Sequence, residues 1–74
     1  MAVYANKSGN SPITNYEIGT DFIIISFFKA TKIYKYSYDG GAGKMHVENM
    51  KALAANGSGL SAYITHNVKL LYDK

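Results

Sequence analysis

Seventy-four residues make one small domain, since compact domains rarely divide below roughly 100 residues. Apolar and aromatic residues supply 47% and charged residues 18%, which excludes a disordered polymer of high charge. Eight lysines, no arginine and five carboxylates leave a net +3, and the absence of cysteine removes disulfides, thiol catalysis and cysteine-based zinc sites.

The opening MAVYANKSGN is polar and glycine-bearing. Residues 1 to 10 are expected to be a flexible segment, docking at most through Val3 and Tyr4, ahead of a single domain over 11 to 74. The segment lacks an apolar signal core, so a cytoplasmic protein is expected. Pro12 suits a strand start, where its missing donor is tolerated. Ser11 to Ile18 reads as a first strand, with Tyr16 and Ile18 on one side and Ile13 on the other.

Gly19, Thr20 and Asp21 form a reversal, and DFIIISFFKA follows as a strand dense in β-branched and aromatic residues. Its apolar run, Phe22 to Phe28, has seven residues interrupted by Ser26, far short of the ~20 a membrane-spanning helix needs. A two-residue loop at Ala30 and Thr31 leads into KIYKYSY. That loop pairs Phe27 with Tyr34, Ile25 with Tyr36 and Ile23 with Tyr38. A longer loop would alter this register, and a slip of one residue would exchange the faces. One face of the ribbon then carries Ile23, Ile25, Phe27 and the three tyrosines. The other carries Phe22, Ile24, Ser26, Phe28, Ile33, Lys35 and Ser37.

Asp39-Gly40-Gly41-Ala42-Gly43 ends the sheet, and the periodicity changes. In MHVENMKALAANG, Val47, Met50, Leu53 and Ala54 recur at helical spacing, and Gly57 is a plausible stop. A second short helix over Leu60 to Lys69 would bury Leu60, Tyr63, Ile64 and Val68, with Ser58 or Gly59 starting it. The LLYDK tail is apolar enough to pack. The predicted fold is α+β: a three-stranded antiparallel meander followed by two helices packed on one face.

Catalytic motifs are missing from the sequence. Gly59-Leu60-Ser61-Ala62-Tyr63 lacks the second glycine of a nucleophile elbow. His46 and His66 have no second ligand at helical spacing, so no metal is expected. GGAGK resembles the end of a phosphate-binding loop, but the required earlier glycine is Tyr38 and the required hydroxyl residue is Met45. No cofactor and no enzyme activity are expected.

The richest pattern is KIYKYSY. Tyr34, Tyr36 and Tyr38 share a face, with Lys29, Lys32 and Lys35 around them. Aromatic rings interleaved with lysines can stack bases and neutralise phosphates, so the leading reading is RNA binding through Lys29, Lys32, Tyr34, Lys35 and Tyr36. Tyrosines that pack beneath the helices are the simpler structural explanation of the same pattern. The alternative function is a protein-interaction or homo-oligomerisation module using Phe22, Ile24, Phe28 and Ile33, an apolar patch that one layer of helices cannot cover.

The order of these features resembles the KTSC domain, a small module of bacterial and phage proteins that also occurs at the C-terminus of some lysyl-tRNA synthetases. The resemblance rests on Tyr34-Lys35-Tyr36 preceded by Phe28 and a hairpin, on a helix ending Leu53-Ala54-Ala55, and on the segment Gly57 to Ile64. It spans roughly Ser11 to Tyr72. Thr31 stands where a turn glycine is expected, and the GGAGK loop replaces a shorter, proline-containing lead-in to the helix. The resemblance implies this α+β fold and a role in binding RNA.

Overall fold

The computed structural model describes residues 2–7, 9 and 11–73. Four antiparallel strands, β1 (Ala2–Val3), β2 (Ile13–Ile18), β3 (Phe22–Phe27) and β4 (Ile33–Ser37), form a meander in the order β1-β2-β3-β4. Helix α1 (Gly43–Asn56) follows, then α2 (Leu60–Tyr63), which runs directly into a π-helical turn over Ile64–Val68. The sheet has one strand more than expected. Ala2 pairs with Tyr16 and Val3 with Asn15, so part of the expected flexible segment is an edge strand. Met1, Ser8 and Asn10 of that segment lie outside the described residues.

The core forms between one sheet face and the helices. Ile23 and Ile25 on β3 are completely buried, as are Val47 and Met50 on α1 and Leu60 and Val68 beyond it. Burying each such side chain contributes ~1.5–3 kcal/mol. Leu60, Ile64 and Val68 all face inward although they are spaced by four residues. In a 3.6-residue α-helix that spacing drifts forward around the axis, and the wider i→i+5 turn after Tyr63 rotates Val68 back toward the core.

Two local irregularities set the strand registers. Between the pairs Ile13–Phe27 and Asn15–Ser26, β2 carries the extra residue Thr14 as a bulge. Its hydroxyl donates to the Ser26 carbonyl at 3.2 Å, and its own carbonyl accepts the Tyr4 amide at 2.9 Å. The bulge turns Ile13, only 2% exposed, onto the same face as Tyr16 and Ile18, correcting the expected split.

The second irregularity is the β3–β4 turn, which spans residues 28 to 32 rather than Ala30 and Thr31 alone. Lys29 adopts a left-handed conformation (φ 61°), and the Ala30 amide donates to the Phe27 carbonyl at 3.2 Å. Ile25 therefore pairs with Tyr34 and Ile23 with Tyr36, a slip of two residues from the expected register. An even slip preserves the faces, so the expected partition of the ribbon survives the wrong pairing.

The N-terminal segment also fastens the end of α1. Tyr4 is buried, and its hydroxyl oxygen accepts the Leu60 amide at 3.4 Å. The Lys7 amide donates to the Gly57 carbonyl at 2.7 Å. Gly57 caps α1 in the left-handed region (φ 84°), and a Cβ there would lie 2.6 Å from the Ala5 Cβ. Both the backbone conformation and the close approach require glycine.

Candidate functional site

Where the β3–β4 turn meets the C-terminal tail, the core face opens into a groove of about 390 Å³. Phe27 at the end of β3, Tyr34 near the start of β4, and Tyr72 in the tail form its aromatic wall. The rings meet edge to face, with centroids 5.4 Å apart for Phe27–Tyr34 and 4.8 Å for Tyr34–Tyr72. This arrangement sets positive ring edges against negative ring faces. The Lys32 ammonium lies 5.2 Å from the Tyr34 ring centre and 4.7 Å from that of Tyr72. Pro12, Ile64 and Lys69 complete the lining, with Tyr36 beneath.

Contacts from Tyr72 and Asp73 hold the tail in place. The Asp73 amide donates to the Lys35 carbonyl at 2.6 Å, which covers the outer edge of β4. The Ser37 hydroxyl donates to Asp73 Oδ2 at 2.8 Å. Tyr72 packs against Tyr34. Close behind, the Asp73 Oδ1 atom sits against Gly40, where an added Cβ would meet it at 2.0 Å.

The residues expected to bind RNA are not all together. Tyr34 lines the groove, Lys32 reaches over its ring and that of Tyr72, and Lys29 is exposed in the adjoining turn, with its ammonium 5.5 Å from the Phe28 ring centre. Tyr36 is 1% exposed, so it supports the groove from within the core and offers no face for stacking. Burial pushes its phenol up to about 12, and the neighbouring Tyr34 and Tyr72 hydroxyls add to the rise. Lys35 is on the opposite side of the sheet, 4.9 Å from the Phe22 ring centre. Phe22 and Ile24 are half-buried on that open face, where Ile33 is 53% exposed. Phe28 lies in the turn.

Sequence reasoning missed Phe27, Lys69 and Tyr72 as groove residues. Alternation had placed Phe27 on the tyrosine face, and the signal for Tyr72 was the apolar LLYDK tail, which says that the tail packs but not where.

Carboxylates gather toward one end of the sheet, together with Lys44 and Lys51 against Tyr38, and lysines toward the other. The turn end carries Lys29 and Lys32, and Lys69 lies in the groove lining. Four carboxylates lie toward the other end: Glu17 and Asp21 around the β2–β3 turn, Asp39 after β4 and Glu48 on α1. There Tyr38 donates a short hydrogen bond to Glu48, which also pairs with Lys51 at 2.7 Å. The Lys51 and Tyr38 contacts hold the Glu48 carboxyl below its ordinary range, and Glu48 in turn raises Lys51 and Tyr38. Lys51 also donates to the Thr20 carbonyl at 3.0 Å, so the cluster ties α1 to the sheet.

His46 Nδ1 contacts the Tyr63 hydroxyl at 2.6 Å, and Asn49 donates to the same oxygen at 3.1 Å. These contacts join α1 to α2. Among the described residues, no three His, Asp or Glu side chains gather closely enough to hold a metal ion, and no helix is long and apolar enough to cross a membrane. Compared with known proteins, the chain matches no family model, no curated protein and no solved structure.

Proposed function

We propose that this chain is a non-catalytic binding module that takes single-stranded RNA. One base seats in the groove against Tyr34 and Tyr72, and the flanking phosphates lie on Lys29, Lys32 and Lys69. The observation that carries this reading is the convergence of three aromatic rings with Lys32 and Lys69, beside a turn that carries Lys29, at the end of the sheet away from the carboxylates around Asp21, Asp39 and Glu48. A volume of about 390 Å³ is at the small end of ligand pockets, which run ~300–1,000 Å³, and suits a single nucleotide. Lys32 already rests on the tyrosine faces, and an entering base would displace its ammonium toward the phosphate. The likeness to the KTSC domain favours RNA among anionic ligands.

Fluorescence anisotropy of a labelled single-stranded oligoribonucleotide, titrated over a range of salt, tests the proposal. Three phosphate contacts on a single strand give a slope of log affinity against log salt of roughly −2. Tyr34→Ala should weaken binding by ~1–3 kcal/mol. Lys35→Ala, on the far side of the sheet, should leave it unchanged. Absence of binding at low salt, or equal affinity of the parent and Tyr34→Ala, would overturn the reading.

A further inference from the structure

Among the described residues, no layer lies over the face of the sheet turned away from the helices, which is opposite the wall of the groove. Strand alternation places Glu17, Ile24 and Lys35 in one row across β2, β3 and β4, since Glu17 pairs with Ile24 and Ile24 with Lys35. The row is apolar at its centre and oppositely charged at its two ends. Glu17 and Lys35 are both exposed. They are separated by two strand spacings, roughly 9–10 Å, too far for their backbones to favour pairing within the chain. Neither forms an ion pair among the described residues. Phe22 lies along β3 from Ile24 on the same face, with Ile33 on β4 and Val3, 76% exposed, on β1.

We infer that two copies of this chain pack open face to open face, around a two-fold axis that lies between the sheets and runs along β3. Rotation about that axis sets Ile24 on Ile24 and Phe22 on Phe22. It exchanges the β2 and β4 sides, so Glu17 of each copy meets Lys35 of the other. A two-fold axis running across the strands at this row would instead set Glu17 on Glu17 and Lys35 on Lys35. Charge therefore selects one of the two arrangements available to stacked sheets. Aligned packing of this kind is how twisted sheets stack in sandwiches. In plan, the three strands that overlap about this axis, β2, β3 and β4, cover roughly 270 Å² per copy, well below the ~800 Å² of a standard interface, so the dimer forms and dissociates with concentration.

Sedimentation equilibrium over a concentration series up to the millimolar range, with the intact chain, tests the arrangement. The parent chain should dimerise. Glu17→Lys alone sets lysine on lysine at both contacts, and Lys35→Glu alone sets glutamate on glutamate. Each should raise the dimer dissociation constant by roughly tenfold or more. An equimolar mixture of the two variants restores opposite charges at both contacts, so it should recover parent-like dimers that contain one copy of each. Both positions are exposed, so circular dichroism should show both variants folded. A parent chain that stays monomeric at millimolar concentration, as it would if the face serves a different protein, would overturn the inference. So would single variants that associate like the parent, or a mixture no more associated than its components.

Discussion

Tyr36 offers the most direct check on the core beneath the groove. Its side chain is buried, and its phenol is pushed from 10.0 to about 12, first by desolvation and then by the Tyr34 and Tyr72 hydroxyls. Below pH 10 the phenol is protonated in both folded and unfolded chains, so its contribution to stability is constant. Between pH 10 and about 12 the unfolded chain has lost that proton and the folded chain still holds it. The folded state then binds more protons than the unfolded state, and stability must fall as pH rises through this window. Each unit of difference is worth ~1.4 kcal/mol, which sets an upper bound near 2.7 kcal/mol for the whole window. Water in the adjoining groove screens part of this, leaving about 1–2 kcal/mol.

Tyr36→Phe keeps the ring and removes the titrating group, so it isolates the effect from the other six tyrosines. At neutral pH the variant should match the parent to within ~1 kcal/mol. Urea midpoints followed by circular dichroism from neutral pH into the alkaline range measure the difference. The parent should lose about 1–2 kcal/mol more than the variant across the window. Parallel pH profiles for the two proteins would show that Tyr36 ionises like a solvated phenol, and would refute the packing described for the groove floor.

Met50→Ala should cost ~2–5 kcal/mol in a urea or thermal melt, because Met50 is completely buried between α1 and the sheet; a loss below 1 kcal/mol would place α1 elsewhere. Gly57→Ala should cost ~1–3 kcal/mol, since it combines a strained left-handed residue with a clash against Ala5. Hydrogen exchange should then show faster exchange at the Lys7 amide. Lys29→Gly should instead raise stability by ~0.5–1 kcal/mol, because glycine adopts the turn's left-handed conformation without a Cβ penalty; thermal melts that are unchanged or lowered would argue for a different turn. Gly40→Ala should push the Asp73 carboxylate off Ser37 and quicken hydrogen exchange at the Asp73 amide, with little effect on the buried strands.

The groove and the open face make separable demands on the hairpin. Tyr34 and Lys35 are neighbours in β4, yet alternation sends them to opposite sides of the sheet, so a reader of the sequence naturally groups them as one basic, aromatic strand. In the fold, Lys32 is the lysine that reaches the rings, from the turn rather than from the strand. Lys35 is the lysine opposite Glu17 across Ile24. Substitutions at Lys32 and Lys35 should consequently affect different assays, the first RNA binding and the second association.

What the sequence made legible follows from the range of each interaction. The β3 and β4 strands, the α1 stripe of Val47, Met50 and Ala54, and the partition of the ribbon into two faces depend on local alternation and helical spacing, and all three agree with the structure, whereas that pattern leaves open which face the helices cover. The face assignment held although the pairing was offset, because a two-residue slip is invisible to a period-two pattern. The misread features depend on distant partners. Ile13 turns inward only because Thr14 bulges, and that bulge is held by Ser26 twelve positions away and by the Tyr4 amide. The fourth strand needs β2 to be in place before Ala2 and Val3 can pair at all. Tyr72 joins the groove because the Asp73 backbone reaches Lys35 and its carboxylate reaches Ser37, 36 residues earlier in the chain. A tail with two leucines and a tyrosine announces that it will pack somewhere. The free edge of β4, which offers the unpaired Lys35 carbonyl, decides the place, and so decides that the site has a third ring.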